Sequence, residues 1–151
     1  MLPFKKIIVP TDFSATSLFA LRAACELAKT FEAQLIVLHV YPPFATIYPE
    51  GYLAITDSTN TELVSYLEKS LILQQQEAEK LLGRPVQREL LSGKDFDEIV
   101  RFSEEQQADL IVIGSHGKGA ISRFFLGSVT EKVLRKSHCH ILVVRDEEPK
   151  K

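Results

Sequence analysis

The segment "DLIVIGSHG", residues 109–117, passes from an unbroken apolar run straight into a loop rich in glycine. The run from Leu110 to Ile113 is typical of a strand that is covered on both faces, as the strands of a parallel sheet are. Similar short runs, rich in β-branched residues, predict four further strands. These runs span residues 5–10, 35–40, 86–91 and 141–144.

Apolar residues at helical spacing separate the predicted strands. They predict four amphipathic helices, around residues 18–28, 67–81, 96–100 and 129–134. This alternation predicts an α/β fold with a single open, doubly wound, five-stranded parallel sheet and four helices, of the Rossmann-like kind. Ligands of such sheets bind beyond the carboxyl ends of the strands, where the strand order reverses. We therefore expect a crevice between the first and fourth strands.

Two segments depart from the alternation. Residues 41–60 have no clear period and contain three prolines, which predicts a long loop that can fold over the crevice. The charged end of the chain, residues 146–151, predicts a flexible tail. We therefore expect one domain over residues 1–145, followed by that tail.

The composition argues against several classes of protein. A chain of 151 residues, 45% of them hydrophobic, can bury one core. The chain has 18 basic and 20 acidic residues, and the basic residues do not cluster. This distribution argues against a nucleic-acid partner. No apolar run approaches the roughly 18 residues of a membrane span, and the N-terminus does not resemble a signal peptide. Two cysteines make no disulfide framework, so we expect a cytoplasmic protein.

The glycine-rich segment, residues 114–128, matches neither of two familiar phosphate-binding motifs. A GxxxxGK[ST] loop needs a lysine after Gly119, where this chain has Ala120. A GxGxxG fingerprint that starts at Gly117 meets Ser122 in place of its third glycine. The pattern that remains over the whole segment is GxxGx9GS.

This pattern has two interpretations. If a helix begins at Ser128, the free amides of Ser128, Val129 and Thr130 would attract an anion such as a phosphate. Gly114 and Gly117 would then let the backbone approach the same anion. In the other interpretation, the glycines only turn the chain after the strand, and Ser128 only caps its helix. The spacing alone does not decide between them.

A resemblance to a known family extends over nearly the whole chain. It is carried by four segments, "KKIIVPTDFS", "ADLIVIGSHG", "LGSVTEKV" and "ILVV". In these segments the chain resembles the universal stress protein family, specifically its ATP-binding branch, which has the GxxGx9GS motif. The resemblance implies an adenine nucleotide alpha hydrolase-like fold that binds ATP together with Mg²⁺.

The resemblance also implies which residues form the site. Asp12, beside Pro10 and Thr11, would hold the ribose or a metal linked to the phosphates, and Val40 would meet adenine through its backbone. The residues expected near the ribose are Ile113 and Gly114. Those expected at the triphosphate are Gly117, Gly127, Ser128, Val129 and Thr130, with His116 and Lys118 placed to help.

Several single residues have an ordinary structural explanation beside a functional one. Without the motif, Asp12 is better explained as an acceptor for amides at the start of the first helix, as Ser14 is. His39, inside the second strand, is expected to be packed with one ring nitrogen satisfied. His138 and His140 are metal-binding residue types, but ligands from one short segment rarely complete a site, so the sequence predicts no metal site of this kind.

The resemblance implies a small regulatory protein. Its ATP occupancy would change its conformation or its choice of partner during stress, and two copies would pair through the last strand, "HILVV". The alternative is a slow ATPase or a nucleotidyl-transfer enzyme on the same fold. For that chemistry the sequence offers Asp12 and the expected Mg²⁺, but no evident base that would orient a water molecule.

Overall fold

The computed structural model describes residues 3–43, 46–47, 53–54, 57–117 and 125–146. Strands and helices alternate along this part of the chain. The strands are β1 Lys6–Pro10, β2 Gln34–Tyr41, β3 Thr46–Ile47, β4 Leu53–Ala54, β5 Gln87–Ser92, β6 Leu110–Gly114 and β7 His140–Val144. The helices are α1 Ala15–Phe31, α2 Asp57–Leu82, α3 Asp95–Glu105 and α4 Ser128–Lys136.

The main sheet confirms the predicted fold. Its five strands run parallel in the order β5-β2-β1-β6-β7. Each of these strands agrees with its predicted range to within one residue at either end. The strand order reverses between β1 and β6, which are the first and fourth strands of this sheet, so the crevice is expected at their carboxyl ends.

Both faces of the central strands are buried. In β1, Ile7 and Val9 pack into a cluster with residues of α1 and α2, whereas Ile8 packs into a second cluster with residues of α3 and α4. Strands β2 and β6 alternate between the two clusters in the same way. A strand with two buried faces needs apolar residues at every position, which explains the unbroken runs in the sequence.

Cys25 lies within the cluster formed by α1 and α2. It is 2% exposed, and burial raises the pKa of its thiol to about 11, with a smaller contribution from the charges of Glu26 and Glu77. A buried thiol of this kind fills space in the core. Cys25 and Cys139 are both free thiols.

The segment 41–60 contains more regular structure than its sequence predicts. Thr46 pairs with Ala54 and Ile47 with Leu53 in a two-stranded antiparallel ribbon, and α2 already begins at Asp57. Two-residue strands are too short to show a period of two, and the polar start of α2, "DSTN", shows no apolar helical period. The prediction of one continuous loop is therefore wrong for these residues, and the remainder lies outside the described ones. No helix in the described ranges is both long enough and apolar enough to cross a membrane.

Candidate functional site

A cavity of about 410 Å³ opens at the carboxyl ends of β1, β2 and β6 and at the start of α4. This is the edge of the sheet at which the strand order predicts a ligand site. The cavity is lined by twelve residues of the predicted site: Pro10, Thr11, Asp12, Val40, Ile113, Gly114, His116, Gly117, Gly127, Ser128, Val129 and Thr130. Lys118 lies outside the described residues. The structure thus brings the predicted residues together, while their role in binding stays a prediction.

The turn between β1 and α1 holds the first part of the cavity wall. The amide of Phe13 donates to Thr11 Oγ1 (3.1 Å), and the amide of Ser14 donates to Asp12 Oδ1 (3.0 Å). Ser14 is the N-cap of α1 and accepts from the amide of Ser17. Phe13 takes up a positive φ of 65°, a conformation that is uncommon for a residue with a side chain and typical of tight turns. The side chains of Thr11, Asp12 and Ser14 therefore fix the course of this turn.

Asp12 lines the cavity, and one of its two carboxylate oxygens accepts from the amide of Ser14 in this turn. A Cβ atom added to Gly117 would lie 2.2 Å from Asp12 Oδ2, so the two residues are in close contact. The structural explanation of Asp12 and its expected ligand role are therefore compatible, because each uses a different oxygen. Gly117 has no side chain that would separate this carboxylate from the segment after β6.

Gly114 and Gly127 are needed for close contact between protein segments. A Cβ atom on Gly114 would lie 2.9 Å from Thr16 Cγ2 in α1, and one on Gly127 would lie 3.0 Å from the Cα atom of His116. Among the described glycines, only Gly83 and Gly93 have a positive φ, so the motif glycines are not selected for an unusual backbone conformation. Packing against α1 therefore requires a glycine at position 114 whether or not an anion binds, and its role toward an anion stays a prediction.

The start of α4 is held against the end of β6 by two hydrogen bonds. The amide of Gly127 donates to the carbonyl of Ser115 (2.7 Å), and Thr130 Oγ1 donates to the carbonyl of Gly114 (2.7 Å). Gly127 is the N-cap, so Ser128 is the first helical residue and does not cap its own helix. No side chain of the described residues caps this terminus, which leaves the first amides of α4 beside the cavity as donors.

His116 connects the cavity to the end of the described chain. Its Nδ1 lies 3.4 Å from Thr16 Oγ1, and its Nε2 lies 3.3 Å from Asp146 Oδ2. Thr16 Oγ1 also donates to Asp146 Oδ1. Asp146, the first residue of the predicted tail, thus contacts the folded part of the chain, whereas residues 147–151 lie outside the described ones. Its partners lie far away along the chain, so no local pattern in the sequence could indicate these contacts.

The cavity also has walls that the sequence interpretation missed. Ser17, Leu38, Asp95 and Ile99 line it, and so does His39. His39 donates through Nδ1–H to the carbonyl oxygen of Thr11 (2.6 Å), so this ring nitrogen is satisfied, as expected. Asp95 follows a predicted strand by only a few residues, and a polar residue at that place is the signal that could have identified it.

The two ends of the cavity differ in chemistry. Leu38, Val40, Ile99 and Val129 give one part an apolar lining, whereas the start of α4 offers amides to an anion. Such a cavity fits a ligand with a flat, largely apolar group at one end and an anionic group at the other.

The described residues contain no group of three or more His, Cys, Asp or Glu side chains that could hold a metal ion. The resemblance described above implies a Mg²⁺ ion that is bound together with the phosphates of a nucleotide. Asp12 fits such a cation, because Mg²⁺ commonly takes one or two carboxylates together with phosphate oxygens.

The comparisons with known proteins agree on one family. The family model described as the universal stress protein family matches residues 3–145. The chain is 39% identical to the universal stress protein MJ0531 of Methanocaldococcus jannaschii, over 98% of this chain and 85% of that protein. The solved structure of MJ0577, from the same organism, has a TM-score of 0.81 at 32% identity and covers 96% of this chain and 98% of that one.

A second solved structure adds a ligand to the comparison. It is a universal stress protein in complex with cAMP, with a TM-score of 0.70 at 27% identity, and it covers 95% of this chain and 98% of that one. The family model, the sequence relatives and the shared fold agree over nearly the full length. The chain therefore belongs to the universal stress protein family.

Proposed function

We propose that this chain binds ATP in the cavity beside β1, β6 and α4, and that it acts as a small regulatory protein in the cytoplasm. Its bound nucleotide would change its conformation or its choice of partner during stress. The observation that carries the proposal is the uncapped start of α4, which lies beside a cavity with an apolar lining. The cAMP complex of a relative supports the adenine nucleotide as the ligand class.

The triphosphate would occupy the end of the cavity next to α4. The amides of Ser128, Val129 and Thr130 are the first of the helix, where the helix dipole and unpaired N–H groups favour an anion. Asp12 carries a negative charge at this end, so it would act through Mg²⁺ or through the ribose hydroxyls and not on the phosphates directly. With a bound Mg²⁺, the charge on the phosphates would be partly neutralised.

Adenine would occupy the end of the cavity next to β2. Val40 lies at the end of that strand, and Ile99 and Val129 supply apolar side chains from α3 and α4. Ile113 and Gly114, at the end of β6, would lie beside the ribose, between base and phosphates. Each part of the nucleotide would thus meet a surface of matching polarity.

Calorimetric titration of the purified, nucleotide-free protein is expected to show saturable binding of ATP at one site per chain. Because ATP would bind only the folded state, a concentration of 100 times its Kd should raise the free energy of unfolding by about 2.7 kcal/mol. Adenosine and inorganic triphosphate are the matched controls, and each should bind much more weakly than ATP. Absence of binding heat, together with no nucleotide in an acid extract of the protein as purified, would contradict the proposal.

We also propose that two copies pair through β7. This strand lies at the edge of the sheet, so one side of its backbone has no neighbouring strand within the described part of the chain. Leu142 in β7 and Leu134 in α4 are 38% and 47% exposed, which gives the same edge an apolar surface. An edge strand with exposed apolar side chains is suited to pairing with a second copy.

The substitution Leu142→Lys is expected to convert the dimer into a monomer, because a charged side chain on an edge strand opposes pairing. Light scattering coupled to size exclusion measures the mass directly. Leu73→Lys is the matched control, since Leu73 is 67% exposed on α2 and lies away from β7. The proposal fails if the wild-type protein is monomeric at 100 times the concentration used for binding, or if the Leu142→Lys protein keeps the mass of a dimer.

A further inference from the structure

Asp95, the first residue of α3, lines the cavity and is exposed to solvent. Strand β5 ends at Ser92, which pairs with Tyr41 at the end of β2. Gly93 follows with a φ of 154°, and its amide donates to the carbonyl of Tyr41 (2.9 Å). Helix α3 then begins at Asp95, which lines the cavity together with Val40. The turn after β5 is therefore attached to the end of β2, and Asp95 lies beside the expected position of the base.

The width of the sheet agrees with this position. The strands β5, β2, β1 and β6 are consecutive neighbours. Because neighbouring strands are about 4.8 Å apart, β5 and β6 are separated by roughly 14 Å. A nucleotide with its phosphates at the start of α4, beside β6, would therefore extend its base toward β2 and β5.

The carboxylate of Asp95 has acceptor capacity left. Asp95 Oδ1 accepts from the amide of Phe96 (2.7 Å). Within the described residues, no lysine or arginine forms an ion pair with Asp95. Three lysines instead lie over the ring of the neighbouring residue, Phe96, with Nζ atoms 4.6–4.9 Å from its centroid: Lys94, Lys132 and Lys136. Asp95 can therefore use its other oxygen toward a ligand.

An ionised carboxylate accepts hydrogen bonds and donates none. At the edge of a purine it would favour an exocyclic amine and disfavour a carbonyl oxygen at the same position. Adenine carries an amine at its six position, where guanine and hypoxanthine carry a carbonyl. The charge of Asp95 therefore favours an amine over a carbonyl at the six position itself. Guanine and hypoxanthine also carry an N1–H donor, so the contribution of the amine is isolated with a purine that lacks it.

We propose that Asp95 accepts a hydrogen bond from the exocyclic amine of adenine and so makes the site selective for adenine nucleotides. This inference rests on the proposed function, since it assumes that the base lies at the β2 end of the cavity. The simpler alternative is that Asp95 only stabilises the start of α3, as an acidic residue in a first helical turn does.

Asp97 provides a matched control for that alternative. It lies in the same first turn of α3, but it is not among the residues that line the cavity, and its Oδ1 lies 3.3 Å from Nζ of Lys136. Both Asp95→Ala and Asp97→Ala remove one acidic group from the start of α3. Only the first removes a group from the cavity.

The test compares ATP with purine riboside 5′-triphosphate, which lacks the amine, by calorimetric titration of three proteins. The wild type and Asp97→Ala are expected to prefer ATP by about fivefold. Asp95→Ala is expected to bind both ligands equally, with its affinity for the amine-free ligand unchanged.

Three results would overturn the inference. Asp95→Ala could weaken both ligands by the same factor, which is the result of a purely structural role. It could retain the preference of the wild type for ATP, or the wild type could bind purine riboside 5′-triphosphate as tightly as ATP. A wild type that binds none of the nucleotides is a different result, because there the proposed function fails and this inference fails with it.

Discussion

Replacing Gly127 by valine is expected to lower the affinity for ATP by more than about 100-fold. A Cβ atom at this position would lie 3.0 Å from the Cα atom of His116 and 3.3 Å from the carbonyl oxygen of Ser115. Both neighbours are backbone atoms, so they cannot rotate away as a flexible side chain can. The two methyl groups of valine add to the conflict, so the start of α4 would have to move away from the segment after β6.

The size of the effect follows from the donors that would be displaced. Hydrogen bonds to a charged group contribute about 1.5–3 kcal/mol each, and loss of two of them corresponds to about 100-fold or more in Kd. The sequence alone indicates a different cause, a side chain that fills the phosphate pocket. In the structure, the nearest atoms to such a side chain belong to the protein, so we expect displacement of the helix start.

A glycine far from the cavity provides the control for this variant. Gly83 follows α2 and precedes β5, at the opposite edge of the sheet, and has a φ of 73° with no atom within 4 Å of an added Cβ. Gly83→Ala should therefore lower the free energy of unfolding by about 1 kcal/mol through backbone strain, with unchanged affinity for ATP. Titration and thermal unfolding of both variants separate the two effects. Wild-type affinity in Gly127→Val would show that the α4 amides do not bind the phosphates.

The fold is largely predictable from sequence because burial on two faces leaves a local pattern. Ile111 and Val112 pack on opposite faces of β6, so neither position tolerates a polar residue, and the run is unbroken. The ribbon of β3 and β4 leaves no such pattern, because each of its strands has only two residues. A strand or helix must therefore be long enough to show its period before the sequence can predict it.

The candidate site is predictable only in part, for a related reason. The start of α4 at Ser128 is visible as a glycine followed by a helical period, and the structure confirms it. The contacts of His116 with Thr16 and Asp146 join three distant parts of the chain, and Asp95 reaches the cavity only because β5 lies beside β2. Such contacts depend on the order of the strands in the sheet, and the local sequence around each residue does not indicate that order.

The second large effect is expected for Asp12→Asn, which should weaken ATP binding in the presence of Mg²⁺ by about 30-fold. Asparagine keeps an oxygen that can accept from the amide of Ser14, so the turn before α1 should persist. The substitution removes the negative charge that faces Gly117 and the cavity. A hydrogen bond or metal contact of a charged group contributes about 2 kcal/mol, which corresponds to this factor.

Titrations with and without Mg²⁺ distinguish the two ways in which Asp12 can contact the nucleotide. If Asp12 binds through Mg²⁺, the difference between Asp12→Asn and wild type should shrink in EDTA. If it accepts from the ribose hydroxyls, the difference should persist in EDTA and shrink with 2′,3′-dideoxy-ATP.

Ser14→Ala is the matched control: it removes the N-cap of α1 and should lower the free energy of unfolding by about 1 kcal/mol without changing the affinity for ATP. Equal affinities of Asp12→Asn and wild type under all these conditions would leave Asp12 with its role in the turn alone, since that role requires only the oxygen that asparagine retains.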